Sequence, residues 1–299
     1  MSAIKYGGKM NIKRIKPKTI FALLLGIFIG ITVTSCVVDP YSDDNRDNRF
    51  SATESFSFQI NIDQQNRLTL SGINGSVEVT GSTANTGQVE IRGEKSVESD
   101  SRGDAEAALR NLSVGIDETA DSINVRTEQP KNTGGRNYLV HYHITLPRDW
   151  QVDVDHLNGE VVLKNIGNNL TARNENGNMS LIAVEGTTQV ELTNGNIDLH
   201  DLSGSVHATL INGNIDADVE MAPGGSIELG IINGNVSLDI PKNISASFSA
   251  QTKNGGINLN NLSLQNSSTG NNLVTGTLGD GSGKIVLGTV NGSITVRGI

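Results

Sequence analysis

One cysteine in 299 residues, Cys36, leaves no intrachain disulfide to form, so stability has to come from packing and backbone pairing. Aromatic residues make up only 4% of the chain, with a single tryptophan, Trp150. Thick globular cores and ligand pockets draw on more aromatic mass, so this composition suits thin layers filled by Val, Ile, Leu and Ala. The chain lacks G-x-S-x-G, H-E-x-x-H, Walker and C-x-x-C motifs, which removes the common signatures of hydrolase, zinc peptidase, nucleotide and redox chemistry. No cofactor is expected.

Positive charge is scarce after the first segment. Residues 1 to 35 carry six basic residues and no acid, followed by the apolar run IFALLLGIFIGITVTS. That run is short for a membrane span and ends in Val33-Thr34-Ser35-Cys36, which resembles a lipobox. We read 1–35 as a lipoprotein signal peptide, with Met10 the better start and Cys36 the acylated first residue. The alternative is an uncleaved signal anchor. Residues 36–49, rich in Asp, Asn and Arg, read as a flexible tether. Acylation of Cys36 also argues against a thiol enzyme.

Without the leader, 17 basic residues face 32 acidic ones, a balance of −15. Such a field repels phosphate backbones and anionic headgroups, which excludes nucleic acid and leaves the lipid on Cys36 as the membrane contact.

What the chain does have is a repeat. Asn-Gly recurs at Asn158, Asn176, Asn194, Asn212, Asn233, Asn254 and Asn291, with spacings of 18, 18, 18, 21, 21 and 37 residues. Three and five residues after each Asn stand apolar pairs such as Ile197 and Leu199 or Ile294 and Val296, and apolar residues alternate before it. That period of two is a strand's, with one face always inward. Isolated hairpins would leave the inward face bare. Winding the chain so that each strand pairs with its counterpart one coil away encloses it and satisfies the backbone. The predicted fold is therefore all-β, a single-stranded parallel β-helix (β-solenoid) with Asn-Gly corners. Counting by twos gives Asn the inward parity, so the seven Asn side chains are expected to form an amide ladder, with Asn tolerating a left-handed corner and Gly accepting it without steric cost.

The repeated Asn-Gly-Asn units, preceded by YHITLPRDWQVDVDHLNG and by an early SGINGSVEVTG, resemble the bacterial putative-adhesin family of β-strand repeats, over about residues 50 to 299. The resemblance implies an exported domain, often a lipoprotein, with a right-handed parallel β-helix. It brings no catalytic motif. Within that domain, 50–150 is less regular and 151–299 holds the regular coils. DAEAALRNL, 104–112, is the one helical stretch, placed to cover the open end of the solenoid.

Candidate chemistry is thin. His141 and His143 share a strand face, but no third metal ligand is identifiable. Asp198, Asp216, Asp218 and Asp239 fall at outward positions of neighbouring coils, forming an acidic patch that is either solvated or bridged by a cation. The reading is a non-enzymatic, lipid-anchored protein of the bacterial cell envelope whose β-solenoid surface binds an envelope or extracellular ligand. The alternatives are a polysaccharide-active β-helix enzyme, for which coils of 18 residues leave few loops to wall a groove, and a self-assembling scaffold. The final unit, KIVLGTVNGSITVRGI, runs in strand pattern to Ile299, so a homotypic contact through that C-terminal coil is expected unless the insertion between Asn260 and Lys284 shields it.

Overall fold

Alternation becomes strand almost everywhere in the computed structural model, which describes residues 47–84, 87–270 and 272–299. The N-terminal part supplies β1 (Phe50–Asn61), β2 (Arg67–Ser71), β3 (Val77–Ser82) and β4 (Gln88–Ser99), the helix α1 (Arg102–Leu109), and then β5 (Ser113–Glu118), β6 (Ser122–Glu128) and β7 (Asn137–Pro147). Regular coils follow: β8 (Gln151–Asn158) and β9 (Val161–Lys164), β10 (Leu170–Asn176) and β11 (Met179–Ile182), β12 (Glu185–Asn194) and the long β13 (Ile197–Asn212), then β14 (Ile215–Glu220), β15 (Ser226–Asn233) and β16 (Val236–Ile240). The last part holds β17 (Ala246–Asn254), β18 (Ile257–Asn260), β19 (Gln265–Thr269), β20 (Leu273–Leu278), β21 (Gly283–Asn291) and β22 (Ile294–Gly298). The protein is all-β, with α1 the one helix among the described residues.

Strands before a corner pair in parallel with strands before the next corner, and strands after it likewise. Ala172 lies opposite Val154 on one side and Val190 on the other, and Met179 lies between Val161 and Ile197. Apolar residues therefore stack in columns between two sheet layers, and Val161, Met179, Ile197, Ile215, Val236 and Ile294 are all at most 1% exposed. Each such side chain contributes about 1.5–3 kcal/mol of burial, while interstrand bonds satisfy the backbone that burial strips of water.

The coils are not stacked in chain order at either end. β2 lies between β6 and β8, and β3 between β7 and β9, so the first coil in sequence is preceded in space by a later one. At the other end β21 is inserted between β15 and β17, and β22 between β16 and β18. The expected C-terminal edge is thus absent: Ile294 and Val296 are fully buried in an interior coil, and the homotypic contact proposed for that coil loses its basis. The reason lies in the 37-residue detour from Asn254 to Asn291, which forms the β19–β20 hairpin before the chain returns. Lengthening a closure from 18 to 37 residues costs only about 0.6 kcal/mol, less than one buried isoleucine contributes.

Antiparallel strands finish both ends. β4 adds to β7, β1 to β4 and β5 to β6 at the N-terminal end, whereas β20 adds to β17 and β19 to β20 at the other. The helix α1 starts at the cap Ser101, whose side chain accepts from the Asp104 N–H, and it buries Ala105, Ala108 and Leu109. It packs on β1 and β4, the outermost strands of that end, with those three residues joining the buried core.

Candidate functional site

The Asn-Gly corners line up along one edge of the stack. The side-chain amide of Asn158 donates to Asn74 (2.8 Å), Asn176 to Asn158 (2.8 Å), Asn194 to Asn176 (2.9 Å), Asn212 to Asn194 (2.9 Å) and Asn233 to Asn212 (2.8 Å). Asn291 then donates to Asn233 (2.8 Å) and Asn254 to Asn291 (2.7 Å), following the spatial rather than the sequence order. Asn74 joins as an eighth member and passes its own amide hydrogen to the Tyr138 carbonyl at 3.0 Å. Its SGINGS context carried the signal, but the long gap to Asn158 hid the register.

Two expectations about the corner need correction. No corner Asn has positive φ; the strained residue is the glycine, with φ of +126° at Gly177 and +141° at Gly213. A Cβ on Gly213 would stand 1.6 Å from the Gly195 carbonyl oxygen, so close coil contact demands glycine as much as backbone angle does. The Asn side chains also do not point inward: six of the seven expected ladder members, all but Asn158, are exposed, because the strand bends at the corner and parity stops predicting side.

A second column runs beside the first and escaped the sequence reading. The side-chain oxygens of Asn178, Asn196, Asn214 and Asn235 accept from the backbone N–H of Asn196 (3.0 Å), Asn214 (3.0 Å), Asn235 (3.1 Å) and Ser293 (2.9 Å). The second Asn of each Asn-Gly-Asn was its visible trace. Together the columns form an edge in which Thr193–Asn196, Ile211–Asn214, Ile232–Asn235 and Val290–Ser293 are consecutive uncharged rungs. A primary amide has two N–H groups and two acceptor lone pairs. The ladder uses one of each per Asn, so a donor and an acceptor remain at every rung, about 4.8 Å apart.

Behind this edge, the residue two before the corner braces it. His156 Nε2 bonds the Gly75 carbonyl at 3.0 Å, Asn174 the Gly159 carbonyl at 2.8 Å, Thr289 that of Gly234 at 3.1 Å and Thr252 that of Gly292 at 2.9 Å. The middle coils place Leu192, Leu210 and Ile231 there instead. Burial holds the His156 pKa below its ordinary value against the hydrogen bonds that favour its charged form, and Gly72 leaves room for the ring, since a Cβ there would lie 2.3 Å from Nδ1.

On the outward face, Asp198 sits opposite Asp216 and Asp218 opposite Asp239, as expected from register. The inserted last coil changes their chemistry, for Arg297 grips Asp239 through two 2.7 Å bonds. Burial, then the charges of Asp201 and Asp239, push the Asp218 carboxyl above its usual range. Among the described residues no three His, Cys, Asp or Glu side chains gather closely enough to hold a metal ion. His141 and His143 turn to separate partners, Ser76 Oγ at 2.9 Å and Glu78 at 3.1 Å. Lys164 also bonds Glu78, at 2.8 Å, and holds its carboxyl low.

A cleft of about 550 Å³ opens where the amide edge meets β7, lined by Asn74, Ser76, Glu98, Asn137, His141 and Glu160 among others. Its polar groups largely pair with one another: Asn137 with Glu98, His141 with Ser76, Asn74 with Asn158. Trp150 is buried and offers no stacking platform. Cys36 and the leader lie outside the described residues; among those described, no helix is long and apolar enough to cross a membrane.

The Toastrack DUF4097 family profile matches residues 47–297. Among solved structures, a putative cell adhesion protein from Clostridium sporogenes is 11% identical, covering 83% of this chain and 100% of its own, with a TM-score of 0.37. A putative adhesin from Bacteroides fragilis is 12% identical, covering 82% and 97%, with a TM-score of 0.35. No curated protein matches.

Proposed function

The chain belongs to the Toastrack DUF4097 family, and from that premise we propose that it is a non-enzymatic envelope protein, lipid-anchored through Cys36, that binds an uncharged, hydrogen-bonding polymer along its Asn-Gly-Asn edge. The observation that carries this reading is the run of four uncharged rungs in a chain of net charge −9. An anionic polymer is repelled by the surrounding field, whereas a neutral polyhydroxylated chain can meet free amide donors and acceptors at every rung. Half-buried Ile211, Ile232 and Val290 add an apolar strip beside them. We also infer that the coils wind right-handed, as about 98% of parallel crossover connections do; an experimental map showing the opposite hand overturns that.

Co-sedimentation of the native lipoprotein with insoluble neutral glucan, against alginate as the anionic control, tests the function. Retention on the glucan alone is expected, and a paired Ile211→Glu and Ile232→Glu variant should lose it while its melting temperature stays within a few degrees. Equal retention of that variant refutes the edge as the binding surface. Sugar release that disappears in Asp198→Asn or Asp216→Asn would replace the reading with the enzyme alternative. For the anchor, Cys36→Ser should abolish lipid labelling and free the protein from the membrane; continued labelling disproves it.

A further inference from the structure

We propose that two copies of this chain associate by antiparallel pairing of their β1 strands, along the edge that β4 leaves open. β1 pairs with β4 over its full length, from Phe50 opposite Ser99 to Asn61 opposite Gln88, without a bulge. Among the described residues no strand pairs with its other side. Edges exposed in this way are ordinarily shortened, bulged or guarded with Lys or Pro, because an open row of N–H and C=O groups recruits another strand.

The four strand edges left open among the described residues differ in this respect. β18 has four residues, β19 has five with a register break against β20, and β5 ends in Asp117-Glu118. β1 has twelve residues, FSATESFSFQIN, with no Lys, Arg or Pro. Two of the three exposed large apolar side chains of the described residues stand on it, Phe50 at 46% and Phe58 at 38% exposure, the latter 5.9 Å from the Phe56 ring. A further strand beside β1 would extend the layer over both.

Charge identifies the occupant as a second copy. The chain is acidic, so two copies repel over most of their surface and can meet only along a neutral strip. The outward side chains of β1 are Ser51, Thr53, Ser55, Ser57, Gln59 and Asn61, all uncharged, and its one carboxylate, Glu54, is offset by Lys95 at 3.2 Å. A two-fold antiparallel pair sets this strip against itself. Inward residues must face inward in both copies, and the register that does so while setting Glu54 against Phe56 rather than against a second carboxylate centres the two-fold on Ser55.

Cross-linking of the full chain in intact cells tests this. Ser55→Cys, treated with a short bismaleimide, should give a band of twice the chain mass at least about fivefold stronger than wild type, and than Ser268→Cys on the β19 edge. Adding Ser57→Lys, an exposed outward change that leaves the core untouched, should reduce the band at least about fivefold; Phe50→Lys with Phe58→Lys should do the same. Equal bands from Ser55→Cys and Ser268→Cys overturn the proposal, as does a Ser55→Cys band indifferent to Ser57→Lys. A product of another mass overturns it in favour of a foreign strand.

Discussion

From β8 to β16 each coil lies on the one before it in sequence, whereas at both ends the chain steps out, adds antiparallel strands and returns to fill a place it had skipped. Both regions obey the same local pattern of Asn-Gly corner and alternating apolar residues. The difference teaches that the pattern specifies a coil's shape and inward face but not its neighbour. Any coil's apolar column fits against any other's, and the choice falls to the connections.

The largest effect is expected from glycine at a stacked corner. Gly213→Ala places a Cβ 1.6 Å from a carbonyl oxygen at φ +141°, and should cost upward of about 3 kcal/mol. Gly87→Ala, with open space at φ +64° in the irregular part, should cost only about 1 kcal/mol. Chemical denaturation of both variants measures the contrast; similar losses would mean that backbone angle, not coil contact, selects these glycines.

Next comes the inserted coil. Ile294→Ala should lose about 2–4 kcal/mol, because Ile294 is fully buried between Val236 and Ile257. Ile257→Ala, on the partly exposed β18, should lose distinctly less. If the order of the two reverses in urea titrations, β22 is the edge after all and the ends follow chain order.

The buried histidine separates the first coils from the middle ones by pH. Burial depresses the folded pKa of His156 below its unfolded value of 6.5. Below that pH the unfolded chain therefore binds the extra proton, so the stabilising neutral state is fully present above about pH 6.5 and is lost as pH falls, by at most about 1.4 kcal/mol per pH unit until the folded pKa is reached. His156→Leu, imitating Leu192 one pair of coils away, should flatten this part of the stability profile; an unchanged slope assigns the acid sensitivity elsewhere.

The smallest effect is expected at the ladder. Asn194→Ala breaks bonds of 2.9 Å to Asn176 and Asn212, but the orphaned amides reach water, so the loss should be about 1 kcal/mol. Thermal melting of this variant against Asn158→Ala, at the half-buried end of the same ladder, sharpens the point, since the latter should lose more.

Much of this was legible. The alternation around Asn194 and Asn212 implied the strands, their parallel partners and the amide ladder, because spacing decides which side chains share a face. Asn74 was not legible as a ladder member, because 84 residues separate it from Asn158. The exposure of the corner amides was hidden for another reason: parity holds along a strand and fails where it bends. The acidic patch was read from correct positions, yet Arg297 at Asp239 could not be seen without knowing which coil lies beside β16.

By itself the sequence determined the conformation of each coil and its inward apolar face, since both depend on residues within a few positions of one another. Only the tertiary structure decided the order of the coils, the closing of the C-terminal unit between β16 and β18, and the edge of β1 left open among the described residues. Those outcomes depend on how the long connections run. Closure entropy rises so slowly with length, about 0.6 kcal/mol for each doubling, that a detour costs less than the burial it permits, and no local pattern records which detour was taken.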